Sequence, residues 1–207
     1  MDSFYSHRPY SVLGFHGCDA SLAHKVVLGE EMLRMSSHDY DWLGHGIYFW
    51  ENNVERARQW AIYNSQRDDS PIKEPGVIGA FVDLGLCLDL TDSEGLLHLK
   101  YAYDALVKSC ELTGLSLPKN VDPINVKPKD RILRKLDCAV IEALHTLNKN
   151  AGLPAYDSVR GVFWEGEELY PGAGFREKNH IQIAVINPNC IKGFFLPRDM
   201  DMKYTNP

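Results

Sequence analysis

The chain has 207 residues, 44% hydrophobic and 24% charged, enough for one sizeable core without disulfide or metal staples. Its net charge of −6 excludes a global basic field of the kind that draws proteins onto nucleic acid, and no apolar run reaches the ~18 residues that span a bilayer. Cys18, Cys87, Cys110, Cys138 and Cys190 are widely spaced without a CxxC pair, and Met1 to Phe4 carries no leader pattern, so a cytoplasmic protein in a reducing compartment is expected.

In chain order, Ser11 to Phe15 predicts a first strand ending at His16-Gly17. Ser21 to Leu28 has helical spacing, with Gly29 as its C-terminal cap. Ser36 to Asp41 reads as a loop and Gly46 to Trp50 as a second, buried strand. Val54, Ala57, Trp60 and Ala61 place a helix over Asn53 to Ala61, followed by a charged loop from Gln66 to Gly76. Val77 to Leu90 alternates around Gly79 and Gly85 and predicts one or two strands. Leu96 to Cys110 and Arg131 to Leu147 are helical, the latter with Ile132, Leu136, Val140 and Leu144 in a stripe. Pro118, Pro123 and Pro128 break the stretch between them. The tail after Pro197 is polar and expected to fray.

Two phrases carry the chemistry: Leu13-Gly14-Phe15-His16-Gly17 and Leu43-Gly44-His45-Gly46-Ile47-Tyr48-Phe49-Trp50. A glycine lets a flat ligand approach the backbone, a Tyr beside it stacks on a ring, and a His hydrogen-bonds a sugar hydroxyl. Together they suggest a cleft for a nucleotide-like ligand. Taken singly, a His after a strand and a Tyr within one are more often structural, so the argument rests on their combination.

HG followed by GxGIYF resembles the ADP-ribosyltransferase superfamily, in its poly(ADP-ribose)-polymerase-like, diphtheria-toxin-like branch. That branch sets a His, a Tyr and usually a Glu on three separated strands around NAD. Asp157-Ser158-Val159-Arg160-Gly161 resembles its Ser-Val-Lys-Gly segment, His180 to Val185 its third-residue strand, and Cys190 to Phe195 its closing strand. The likeness covers 13–90 and 155–196. It implies an α+β fold of two small packed antiparallel sheets around an NAD cleft, in a single domain over 1–207 with a helical insertion at 91–150.

The resemblance further implies that His16 bonds the adenosine ribose, Gly17 grips the nicotinamide amide and Tyr48 stacks on the ring, with NAD as substrate and no metal. The chain departs from the pattern at the third position, where Gln182 replaces Glu; its carbonyl accepts a hydrogen bond but cannot take a proton. Chain elongation is therefore not expected. Glu165, Glu167 and Glu168 lie just upstream in the loop that faces the acceptor in the family, and Glu165 is the candidate replacement acid; the other reading is a solvated acidic loop. His180 shares the strand face of Gln182. A second stacking Tyr of the family falls at Gln59, beside Trp60, which either stacks on nicotinamide or packs on the sheet. The family's nicotinamide-binding Ser falls near Arg56. Arg160 either holds the NAD pyrophosphate or anchors its loop to an acid such as Asp157. His45 is a turn residue or a rim contact.

The function so implied is mono-ADP-ribosylation of a protein or nucleic acid. By analogy with small stand-alone transferases, this points to a bacterial toxin or phage-defence effector with a protein antitoxin partner. Rival readings are an NAD glycohydrolase, a non-catalytic module binding NAD or a partner, and an RNA-binding protein built on Lys127-Pro128-Lys129-Asp130-Arg131 and Arg134-Lys135.

Overall fold

The computed structural model describes residues 11–123 and 130–204. Lys127 and Lys129 of the basic strip lie outside them. Of its described arm, Arg134 lies over the Trp42 ring and bonds Asp137, and Lys135 pairs with Asp39.

The molecule is α+β. Strand β1 (Ser11–Asp19) runs on past His16-Gly17 because every residue of it pairs antiparallel with β3 (Pro75–Asp83). Helix α1 (Ala20–Val27) starts where the Asp19 carboxylate accepts the Ser21 N–H, and Gly29 follows its end at φ +75°. Strand β2 (Ile47–Glu51) leads through Asn53, whose side chain caps Arg56 N–H, into α2 (Val54–Ser65). Between β4 (Cys87–Asp89) and β7 (Ser158–Phe163) lie α3 (Ser93–Thr113), the short ribbon of β5 (Asn120–Val121) and β6 (Leu133–Arg134), and α4 (Lys135–Asn150). Strands β8 (His180–Val185) and β9 (Ile191–Phe195) close the fold.

Two packed antiparallel sheets were the expectation; the structure has one seven-stranded mixed sheet in the order β4-β7-β8-β2-β1-β3-β9, plus the two-stranded ribbon. Two facts make the difference. β4 pairs with β7 in parallel, and β1 and β2 keep a join of two residue pairs, Gly14–Glu51 and Phe15–Trp50, which makes the halves continuous. Beyond that join β1 and β2 part.

Directly opposed residues share a sheet face. One face is covered by α1 and carries Phe49, Ile78, Val82 and Ile183. On the other face, α2 packs over Phe15 and Trp50, while α4 packs over Leu43, Val159 and Ala184. The strip of sheet between α2 and α4 holds Tyr48, Trp50 and Gln182.

Candidate functional site

Tyr48 lies beside the parting of β1 and β2. Continuing the register of the two-pair join sets Gly17 opposite it. The Tyr48 hydroxyl donates to Gly44 C=O at 2.7 Å and accepts Leu43 N–H at 2.8 Å. Burial raises its pKa far above the ordinary phenol range, so it stays a hydroxyl. The two bonds fix the ring against the 41–46 turn. His45 belongs to that turn, its N–H donating to Glu142 at 2.8 Å.

His16 projects on the opposite face and meets the Phe49 ring edge-on. Its Nδ1–H donates to Tyr48 C=O across the parting at 2.8 Å. Burial lowers its pKa, partly offset by that bond, so the ring is neutral and presents Nε2 as an acceptor. A ligand touching both His16 and the Tyr48 ring must therefore lie across the gap between the strands.

Above Gly17 sits α2. A Cβ at Gly17 would stand 2.3 Å from Ala57 C=O and 3.1 Å from Trp60 Cε3, so only glycine admits the helix this close. Trp60 is 39% exposed rather than packed away, and its ring is 5.9 Å from that of Trp50.

The floor continues from Tyr48 along β8. Gln182 is buried opposite Trp50 and Gly161. Among the described residues, Trp50 Nε1, Arg56 Nε and His180 Nε2 are buried without a hydrogen-bond partner. Buried polar atoms are rarely left so. His180 donates Nδ1–H to Lys178 C=O at 2.6 Å, and its ring lies between Trp42, Phe163 and Trp50. Burial holds it neutral by lowering its pKa.

Glu165 reaches this floor. Its carboxylate accepts Arg56 Nη2–H at 2.8 Å and stands 3.8 Å from His180 Nδ1 and 3.9 Å from Lys178 Nζ. Glu167 and Glu168 remain exposed in the loop beyond, with Trp164, Leu169, Tyr170 and Phe175.

Arg160 lies elsewhere. It is on the face opposite Tyr48, its Nε–H and Nη2–H forked on Glu51 at 2.6 and 3.0 Å, and its Nη1 on Asp89 and Thr91. It anchors to these acids and not to Asp157, which instead accepts Leu86 N–H and the Asn187 amide. The structure thus brings together Gly17, Tyr48, Trp60, Gln182 and Glu165, with His16 across the gap, and leaves Arg160 apart. Sequence reasoning passed over Trp50, and saw Arg56 only as a displaced Ser. The available signal was Arg56 beside Ala57 and Ala61, a charge at the edge of the buried apolar stripe of α2.

Among the described residues, no group of three or more His, Cys, Asp or Glu is placed to hold a metal ion, and no helix is long and apolar enough to cross a membrane. No family model matches the chain. The uncharacterized protein MJ0359 of Methanocaldococcus jannaschii is 30% identical over 197 residues, spanning 86% of this chain and 83% of that one. The chain belongs to the same family as that archaeal protein.

Proposed function

We propose that the protein is a mono-ADP-ribosyltransferase with NAD as substrate, on a poly(ADP-ribose)-polymerase-like fold whose cleft is the parting of β1 and β2. One observation carries this reading. Gly17 falls opposite Tyr48 where β1 and β2 part, and the floor beside them holds Trp50 Nε1 and Arg56 Nε, both buried without a hydrogen-bond partner among the described residues. A ligand with a flat ring and several polar groups would satisfy both of them.

In the reaction, the bond between ribose C1′ and nicotinamide nitrogen breaks, its electron pair leaving with nicotinamide. The acceptor atom then bonds C1′ and gives up a proton. Gly17 backbone and the Tyr48 ring grip the leaving group. His16 Nε2 accepts a ribose hydroxyl, and the Gln182 carbonyl accepts another near the developing positive charge. Gln182 cannot take the acceptor's proton, and Glu165, 3.8 Å from His180 Nδ1, is a carboxylate at this floor with that capacity. This combination supports a single transfer rather than chain growth, to a protein or nucleic acid acceptor.

The test is incubation with NAD labelled in its adenosine half. Label on a macromolecule, lost in His16→Ala and Tyr48→Ala, supports transfer. Free ADP-ribose alone assigns hydrolysis, and NAD binding without nicotinamide release assigns a non-catalytic module. Turnover undiminished in folded Tyr48→Ala defeats the site.

A further inference from the structure

Arg56 is buried and under-used. It donates one N–H to Glu165 Oε2 at 2.8 Å and one to Gln59 Oε1 at 3.2 Å, while its buried Nε–H has no partner among the described residues. Its guanidinium carbon lies 5.9 Å from the Trp50 ring centroid, and the buried Trp50 Nε1–H is also bare. Two donors left empty beside the proposed cleft, one of them charged, call for an acceptor with several lone pairs. A guanidinium binds oxyanions best through two parallel N–H groups, and Glu165 takes a single Nη2–H end-on, leaving the Nε side of the fork unfilled.

Glu165 is tethered loosely on its own side. It enters from the segment joining β7 to β8, 109 residues away from Arg56, and is 18% exposed. Lys178 at 3.9 Å gives it an alternative cation when Arg56 is withdrawn.

We propose that Arg56 and the Trp50 indole N–H form an oxyanion receptor for a phosphate or pyrophosphate group, and that Glu165 is its displaceable resident. The incoming oxyanion takes the fork of Arg56, and Glu165 turns to Lys178. The exchange transfers no atoms between molecules: one set of hydrogen bonds replaces another. It also frees the Glu165 carboxylate for the proton-accepting role. The proposal rests on the reading above only in using the same cleft, and it assigns to Arg56 the anion-holding part that Arg160 is too occupied to play.

The experiment is calorimetric titration of the full chain with inorganic pyrophosphate, in parallel with NAD. Glu165→Gln keeps the side chain's shape and removes the competing charge, and should bind pyrophosphate about tenfold tighter than the parent, a change of about 1.4 kcal/mol. Arg56→Met should bind at least about tenfold weaker, with Arg56→Lys between, since Lys lacks the fork. A merely structural ion pair would weaken binding in both the Glu165 and the Arg56 variants. Unchanged or weaker binding by folded Glu165→Gln, or no binding by either parent or variant, overturns the proposal. Tyr48→Ala separates the two readings. If it loses NAD and keeps pyrophosphate, both stand; if NAD binds no better than pyrophosphate while Glu165→Gln still tightens the latter, the dinucleotide reading fails and the receptor remains.

Discussion

Two shielded arginines, on opposite faces of one sheet, solve the same electrostatic problem differently. Arg160 fills its fork with Glu51 and adds Asp89 and Thr91, tying β2, β4 and β7 together. These bonds, Glu51 first, raise its pKa above the usual arginine value. Arg56 spends one N–H on a partly exposed carboxylate and one on Gln59, and its Nε–H is bare among the described residues. A saturated guanidinium is a structural rivet, while an unsaturated one keeps hydrogen-bonding capacity for a further acceptor. Burial of a charge alone does not mark function; the unmet bonds do.

The sharpest way to break this contrast is to remove each guanidinium. Arg160→Met strands the largely buried Glu51 and takes the guanidinium from Asp89, which keeps Thr91, and should cost about 3–5 kcal/mol in chemical denaturation. Arg56→Met strands only Glu165, which keeps Lys178 and some water, and should cost about 1–2 kcal/mol. Equal losses would erase the distinction.

Next in size is the glycine beneath Arg56's own helix. Gly17→Ala drives a Cβ into the Ala57 carbonyl and should destabilise by about 1–3 kcal/mol while lifting α2 from β1, read as a lower melting temperature together with weaker NAD binding. Tyr48→Phe should lose about 1–2 kcal/mol, because Leu43 N–H and Gly44 C=O lose their shared hydroxyl.

The smallest effect is acid sensitivity. Burial lowers the pKa of His16, His145 and His180, so the unfolded chain binds protons near pH 6.5 that the folded chain refuses. Stability is then full above about pH 6.5 and falls as pH drops below it, by at most about 1.4 kcal/mol per pH unit for each histidine. His180→Phe should flatten that slope, whereas Arg160→Met should leave it unchanged. An equally steep decline in His180→Phe would show that this ring does not contribute.

Much of the architecture was readable from the chain. Strand β2, helices α1 and α2 and the successive strands β3 and β4 fall where glycine, caps and periodicity set them, because those signals are local. What was missed depends on distant partners. β1 extends to Asp19 because β3 pairs with its whole length. α4 begins at Lys135 rather than Arg131 because Leu133 and Arg134 pair with Asn120 and Val121 instead. For the site, glycine and aromatic phrases pointed to Gly17 and Tyr48, and an acidic loop pointed to Glu165. Nothing nearby in sequence distinguished the fates of two arginines whose acids lie 109 residues away. Asp157 was the natural guess for Arg160 by proximity, but its carboxylate was already bound to the backbone of Leu86.

The narrow waist between β1 and β2 has a mechanical consequence. The backbone ladder joins the two halves of the sheet by only two residue pairs, while the cores under α1 and α2 both reach across the join. Backbone amides at that waist should exchange with solvent sooner than those in the long β1–β3 ladder. A molecule threaded through the gap would act as a stitch, trading its own contacts for the ladder bonds the strands do not make.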